Sequence, residues 1–180
     1  MMPIERGYMM IRVRFLSSLL LCIVFMFCAI PNGEAEVLTL QEKTLVGIKE
    51  LAIIIQYPND IPLKASLNGV DLRAIVESKL RSAGIKISSN PRSEGPNIYV
   101  NINVADISET QLFFILEIGI IEFARLERNP DIRVWKTTTW KEVSMGSTPV
   151  STFTQNVKNI LDDMMNKFLV AYLKANPRTP

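Results

Sequence analysis

Alternation of hydrophobic and polar side chains is most regular in the middle of the chain. Between residues 98 and 106 every second residue is aliphatic, which predicts a strand with one buried face and one polar face. The same period continues over residues 111–127 and indicates a longer strand bent near Gly119, although periodicity alone also allows a helix. The side chains assigned to the buried faces are Ile98, Val100, Ile102, Val104, Leu112, Phe114, Leu116, Ile118 and Ile120.

Three further segments are rich in β-branched residues and are bounded by turn-forming ones. Residues 46–57 are apolar at both parities around the three consecutive isoleucines, which predicts a central strand covered on both faces. Residues 85–88 and residues 132–143 also favour strands, the second because it contains three consecutive threonines. The predicted breaks are a loop at residues 90–96, a turn at residues 128–131 and a stretch at residues 146–149.

Two segments have the three- and four-residue spacing of amphipathic helices. The first begins after Asn68, a capping residue, and ends at Gly84. The second begins with a capping box formed by Thr152 and Gln155 and ends before Pro177. Their apolar faces contain Leu72, Ile75, Val76, Leu80 and Ala83 in the first helix, and Phe153, Val157, Ile160, Leu161, Met164, Phe168 and Tyr172 in the second.

This order of elements predicts a single α+β domain over residues 36–180. A strand, a helix, a group of strands joined by hairpin turns and a final helix bury their apolar faces best in two layers. We therefore expect a two-layer sandwich, in which a mostly antiparallel sheet of four to five strands carries both helices on one face.

The first 35 residues have the pattern of an export signal. Arg6, Arg12 and Arg14 precede an apolar run of 16 residues, and a small-residue motif ends at Ala35. Because a bilayer-spanning helix needs roughly 20 apolar residues, cleavage after Ala35 is favoured over an uncleaved anchor. We therefore expect the protein in the periplasm or secreted, with no later segment able to span a membrane.

Composition excludes several kinds of site from the mature chain. There is no histidine, and the two cysteines, Cys22 and Cys28, lie inside the predicted signal, which excludes Ser-His, Cys-His and histidine-metal sites. Neither cysteine follows a small residue, so lipidation is not expected, and translation can begin at Met1, Met9 or Met10. After the signal, 17 Lys and Arg stand against 16 Asp and Glu, a balance that does not favour nucleic-acid binding.

The remaining polar residues form no recognisable catalytic motif. Asp162 and Asp163 are neighbours on a helix and point about 100° apart, as expected for a solvated helix surface. Glu117 and Glu122 have opposite strand parity and cannot act as an acid and base pair unless the bend at Gly119 realigns them. The glycines form no phosphate-binding loop, so we expect no cofactor and no bound metal.

One surface suggests a binding role, namely the sheet face opposite the helices. Strand parity places aromatic, amide and arginine side chains there, and Tyr, Trp and Arg are enriched at binding hot spots. The alternative is that Phe113 and Trp135 cover the sheet or meet another subunit. Trp140 has the other parity and is expected in the core. The candidate binding residues are Tyr99, Asn101, Asn103, Phe113, Arg133 and Trp135.

Three stretches resemble a family of small exported bacterial proteins with no assigned activity: LERNP at residues 126–130, TTTW at 137–140, and the run from VKNILD to YLKANP at 157–177. The similarity covers nearly the whole mature chain. The order of elements is also similar, at fold level only, to envelope modules such as the amino-terminal domain of the TolB translocation protein and auxiliary subunits of lipid-transport complexes. The resemblance implies protein partners and assigns no functional residue.

These observations favour an exported, non-enzymatic domain that binds an envelope protein or another envelope component through its sheet face. Two alternatives stay open: a small carboxylate-dependent hydrolase or transferase, and an inner-membrane-tethered module that retains its signal. Homo-oligomer formation is also left open. Two carboxylates converging in a concave site would favour the enzyme.

Overall fold

A five-stranded sheet with helices packed on one face is formed by the residues that the structure describes, so the predicted α+β fold is confirmed. The computed structural model describes residues 37–57, 67–90 and 95–177, and the predicted signal lies outside these ranges. The elements are α1 (Leu40–Lys43), β1 (Glu50–Gln56), α2 (Gly69–Ser82), β2 (Lys86–Ser88), β3 (Asn97–Ser108), β4 (Gln111–Leu126), β5 (Asn129–Pro149), a 3-10 turn (Val150–Thr152) and α3 (Phe153–Ala175).

The strands are ordered β2-β1-β3-β4-β5 across the sheet. β1 is parallel to both of its neighbours, whereas β3, β4 and β5 form two successive antiparallel hairpins. Most of the paired residues belong to these hairpins, as predicted, and the parallel part follows from α2, which returns the chain so that β2 runs in the direction of β1. β1 lies inside the sheet, and Leu51, Ala52 and Ile53 are all buried.

The ends of α2 lie where the sequence predicts them. The side chain of Asn68 accepts a hydrogen bond from the backbone N–H of Val70 (2.9 Å) and caps the first turn. At the other end Gly84 has φ +80°, and Ile85 donates to the carbonyl of Leu80 (3.0 Å). Glycine is favoured at this position because it adopts a positive φ without the strain that a Cβ atom would cause, and the backbone bond after it ends the helix.

One side of α3 packs along the covered face of the sheet. Phe168 is fully buried, and its ring centroid lies 5.2 Å from that of Trp140 and 6.1 Å from that of Tyr172. The predicted apolar face of α3 is therefore confirmed, as is the core position of Trp140. Ile160 is only half-buried because it lines a surface cleft, and Met165, four residues after Leu161 and three before Phe168, is buried on the same face.

The segment before β1 differs from the prediction. The strand begins at Glu50 rather than at residue 46, because α1 and a following turn occupy the earlier residues. Thr39 and Glu42 form a capping box at the start of α1, with bonds of 2.6 and 3.1 Å. Glu42 also pairs with Lys174 of α3 (3.1 Å), and the backbone bond from Thr39 followed by the bond from Lys174 lowers the pKa of Glu42.

The capping box predicted for the last helix is wrong. A 3-10 turn precedes α3, so Thr152 already has a near-helical backbone, with φ −111° and ψ −2°, and its side chain makes no capping bond. Gln155 donates instead to Asn159 (2.8 Å) on the next turn.

The break predicted at residues 146–149 is also wrong, because β5 continues to Pro149 opposite Gln111. Proline is tolerated there because it ends an edge strand, where no second neighbour requires its missing N–H. Gly146 stays in the strand and faces the ring of Phe114.

No helix within residues 37–57, 67–90 and 95–177 combines the length and the apolar composition that a bilayer span requires.

Candidate functional site

The face of the sheet opposite the helices, called here the open face, is built from alternate residues of β3, β4 and β5. Cross-strand register places Asn101 opposite Glu117 and Asn103 opposite Ile115. On the other side of β4, Ile115 lies opposite Met145. The strands thus align the open-face side chains in rows across the sheet.

Four apolar side chains form a continuous area on this face, called here the apolar patch: Phe113, Ile115, Val143 and Met145. Val143 is 39% exposed and Met145 is 66% exposed. Phe113 and Ile115 are half-buried. The alternate residues of β4 are buried under the helices, and those of β5 from Glu142 to Thr148 are at least partly buried, so the patch is the solvent side of a packed layer.

Polar groups surround the apolar patch. Lys141 lies 4.0 Å from Glu117, and the hydroxyl of Tyr99 donates to the side-chain oxygen of Gln56 (2.9 Å). Partial burial raises the pKa of the Tyr99 hydroxyl, and the negative charge of Glu117 adds to the effect. Tyr99 is therefore a neutral hydrogen-bonding group at physiological pH.

Beyond the sheet, β4 and β5 continue as a two-stranded ribbon. β3 begins at Asn97, opposite Ile121, so residues 122–137 pair only within the hairpin among the described strands. This segment is called here the hairpin arm. Three register shifts lie here, at Ile120/Ile121, Glu122/Ala124 and Arg125/Leu126, and Lys136, within the second of them, has φ 61°. These bulges change the direction of the side chains that follow.

Three side chains of the hairpin arm form a cluster. The ring of Phe123 lies 4.4 Å from that of Trp135, between centroids, and the guanidinium carbon of Arg133 lies 4.4 Å from the centroid of the Phe123 ring. An arginine at this distance from an aromatic ring is held by a cation-π contact. Phe123, Arg133 and Trp135 are called here the aromatic-arginine cluster.

The six predicted candidate residues therefore lie in two places. Tyr99, Asn101, Asn103 and Phe113 lie on the open face beside β4, whereas Arg133 and Trp135 lie on the hairpin arm. Tyr99 is opposite Gly119, and from Gly119 to Phe123 the strand rises about 13 Å. Arg133 and Trp135 lie beyond Ile121 along the hairpin, where β3 no longer pairs with β4, and this distance along the strands separates them from Tyr99.

Sequence reasoning missed Phe123. It lies in the predicted strand on the same parity as Phe113, and this shared parity was the signal that could have identified it. Its contacts with Arg133 and Trp135 make it the centre of the cluster.

The acidic residues weighed as catalytic candidates have separate partners. Glu117 lies near Lys141, whereas Glu122 accepts a hydrogen bond from Thr139 (2.8 Å). Asp162 pairs with Lys79 (2.8 Å). Within the described residues no group of three or more acidic, histidine or cysteine side chains is arranged to hold a metal ion.

A cleft of about 250 Å³ lies between β5 and the first turns of α3. Phe114 and Ile160 supply apolar side chains to the cleft, and Gly146 lies between them. The polar side chains are those of Thr148, Asn156 and Asn159, and Met145 and Ser147 also border the cleft although their side chains alternate to the open face. The amide of Asn156 is held in place because it donates to the hydroxyls of Thr148 and Thr152.

Comparison with known proteins finds distant structural similarity. No family model matches the chain, and no curated protein matches it. A minor lipoprotein from Acinetobacter baumannii is 14% identical over 75% of this chain and 99% of its own, with a TM-score of 0.37. The PelC dodecamer from Paraburkholderia phytofirmans is 12% identical over 72% and 88%, with a TM-score of 0.41. Uncharacterized lipoprotein B from Nitrosomonas europaea is 9% identical over 74% and 95%, with a TM-score of 0.31.

Proposed function

We propose that this protein is an exported, non-enzymatic binding module that holds a protein partner in the cell envelope. The observation that carries the proposal is the aromatic-arginine cluster on the hairpin arm. Tryptophan and arginine are the residue types that most often dominate binding energy at protein interfaces.

The hairpin arm is poorly explained by stability alone. A two-stranded ribbon is at best marginally stable by itself, and the arm adds little to the helix-covered core. Its outward apolar residues include Ile132, which is 47% exposed, and Val134, which is 38% exposed. These two residues alternate with Arg133 and Trp135 along β5, so they lie on the other side of the ribbon from the aromatic-arginine cluster and give the arm apolar groups on both sides.

Charge on the hairpin arm indicates the chemistry of the partner. Arg125 lies directly opposite Arg133 across the two strands. A partner surface with carboxylates beside an apolar area would complement both arginines and the aromatic rings.

Export supports an envelope location. The arginine-rich start, the apolar run and the small residues before Glu36 are features of a secretory signal. Amino-terminal sequencing of the protein recovered from cells tests this part of the proposal. A mature start at Glu36 supports an exported soluble module, whereas a retained start at Met1, Met9 or Met10 supports a membrane-tethered one.

Binding has more support than carboxylate chemistry. The cleft beside β5 is lined by apolar, hydroxyl and amide groups and has no carboxylate among its lining residues. Glu117 and Glu122, the acidic pair that an enzyme would need to bring together, each have another partner. The carboxylate mechanism considered for this pair requires both groups to converge on one substrate.

Capture from an envelope extract tests the proposal. The purified protein is expected to retain a partner, and Trp135→Ala is expected to reduce the retained amount by about tenfold or more, since it truncates a hot-spot residue. Val170→Ala is the matched control, because Val170 is 70% exposed on the far side of α3. Failure to retain any partner, or equal retention by both variants, would show that the hairpin arm is not the binding site.

A further inference from the structure

The outer edge of β5 is open along a stretch that lacks the usual protection against strand pairing. β5 is the last strand of the sheet, and within the described residues no strand pairs with its outer side. Natural proteins protect such edges with lysine, proline, bulges or a covering segment, because an exposed edge is a template for pairing with another chain.

In β5 these protective features lie on both sides of residues 143–148 and not within them. Lys136, with its left-handed backbone, and Lys141 come before this stretch, and Pro149 follows it. Residues 143–148 read VSMGST, without charge and without proline. This stretch is called here the open edge.

The cleft between β5 and α3 lies directly beside the open edge. Gly146 pairs with Phe114 on β4 and has no side chain to cover that ring. A strand added next to β5 would place one of its side chains beside Gly146 on the same face, over Phe114 and Ile160. The open backbone and the apolar cleft are therefore positioned to act together.

We propose that an extended peptide segment of a partner protein adds to the open edge as a sixth strand and inserts one apolar side chain into the cleft. Backbone hydrogen bonds along the edge supply affinity, and the cleft supplies specificity at alternate residues of the peptide. This site is distinct from the hairpin arm and does not depend on the function proposed for it.

The size and lining of the cleft favour this occupant. Sites for small molecules measure roughly 300–1,000 Å³ and enclose most of the ligand. At about 250 Å³ and open to solvent, this cleft suits a side chain attached to a neighbouring strand. Asn159 at its rim offers an amide to the peptide backbone.

A second copy of this chain fits the open edge less well. If the open edge paired with itself, the residues reaching the cleft face would be Ser144, Gly146 and Thr148 of the second copy. These side chains are small and polar, or absent, and would leave the rings and methyl groups of the cleft uncovered. An apolar residue from another protein fills it better.

Selection from a phage-displayed library of random heptapeptides tests the proposal. Synthetic peptides made from the selected sequences are expected to bind the purified protein and to share an apolar residue at one position. N-methylation of successive peptide amides is expected to weaken binding at every second residue, because alternate N–H groups of a strand point to one neighbour. Isotope-labelled protein is expected to show amide shifts centred on residues 143–148.

Two variants test whether the peptide binds in the cleft. Gly146→Val fills the cleft from its floor and is expected to weaken peptide binding by about tenfold or more. Asn159→Lys blocks the rim from an exposed helical position and is expected to weaken binding by the same amount. It keeps the test valid if Gly146→Val perturbs folding. Val170→Ala is the matched control and is expected to leave peptide affinity unchanged, because Val170 is 70% exposed and does not line the cleft.

Three results would overturn the proposal. The first is a library that yields no binding peptide. The second is selected peptides that tolerate both cleft variants, or whose N-methyl derivatives show no alternation. The third is a concentration-dependent dimer that Gly146→Val abolishes, which would assign the open edge to a second copy of the chain.

Discussion

The β4–β5 hairpin has two halves that differ in what supports them. In the inner half, alternate residues of β4 such as Leu112, Leu116 and Ile118 are fully buried beneath α3, and β3 pairs with the other side of the strand. In the outer half, the hairpin arm, β4 and β5 pair only with each other among the described strands, and most side chains of β5 are exposed.

This difference separates residues that stabilise the fold from residues whose presence stability does not explain. Burial of apolar area is the main favourable term in folding, and it is concentrated in the inner half. The hairpin arm nevertheless keeps two large aromatic rings and a pair of opposed arginines. Substitutions in the inner half should therefore reduce stability, and substitutions in the arm should mainly reduce binding.

The largest expected effect is that of Phe168→Ala, which removes the ring packed on Trp140 beneath the inner half. We expect a loss of about 3–5 kcal/mol in the free energy of unfolding, because the substitution leaves a cavity in a fully buried site. Chemical denaturation of the purified variants measures it.

Lys167→Ala is the control for Phe168→Ala at the adjacent position. Its partner Glu142 is 2.6 Å away, but the lysine side chain is 66% exposed, so the loss should be at most about 1 kcal/mol. Similar unfolding midpoints for the two variants would mean that the buried face of α3, and with it the support of the inner half, is assigned incorrectly.

A smaller effect is expected at Gly119, where the inner half meets the arm. A Cβ atom there would lie 3.0 Å from the carbonyl oxygen of Trp140 and 3.3 Å from a methyl carbon of Thr138. Gly119→Ala should cost about 1–3 kcal/mol, because the contacting oxygen belongs to the backbone and cannot move aside easily. Thermal unfolding of this variant gives the shift.

Gly146→Ala is the matched glycine substitution within the same hairpin. Its Cβ would meet the Phe114 ring at 3.4 Å, an ordinary contact, so stability should be unchanged or higher by up to about 1 kcal/mol. Equal losses at both glycines would contradict the close approach of β5 to Gly119.

The inner half is also where sequence reasoning succeeded. The residues from Ile98 to Val104 alternate without interruption, and the apolar residues of α3 keep one helical spacing throughout. An uninterrupted spacing of this kind identifies which side chains are buried. The ends of α2 were predictable for a similar reason, since Asn68 and Gly84 act through local backbone geometry.

What the sequence could not show depends on contacts between distant segments. Tyr99 pairs opposite Gly119, whereas Trp135 lies on the part of the hairpin beyond the start of β3, so the two are separated along the strands although strand parity places both on one face. The capping box at Thr39 and Glu42, by contrast, is a local Thr-x-x-Glu pattern that the sequence does contain. The cleft depends on α3 lying beside Gly146, a relation that no local pattern encodes.

In the arm, Trp135→Ala should affect stability less than either buried-site change. Its ring contacts Phe123, and such aromatic pairs contribute about 0.5–1.5 kcal/mol, so a loss of this size is expected. Denaturant unfolding gives the value, and Phe123→Ala should produce a loss in the same range. A loss as large as that of Phe168→Ala would show that the arm is part of the core, and the comparison between the two halves would fail.

The smallest expected effect concerns Tyr99, on the open face of the inner half. Burial first, and then the charge of Glu117, raises the pKa of its hydroxyl. The folded state therefore holds this proton more tightly than the unfolded chain does. The resulting stabilisation is complete below the unfolded pKa of about 10 and is lost as the pH rises through the higher folded value.

Ultraviolet titration of tyrosinate, with Tyr99→Phe used to assign the signal, measures this pKa directly. Glu117→Gln should lower it while leaving it above the ordinary value, because burial is the larger cause and remains. Glu109→Gln, in the exposed turn between β3 and β4, should leave it unchanged. If Tyr99 titrated at the ordinary value in all three proteins, the open face of the inner half would be as solvated as the hairpin arm. The two halves would then differ only in their covered face. The open face would no longer offer a partly desolvated surface, and the aromatic-arginine cluster would be the better candidate for binding.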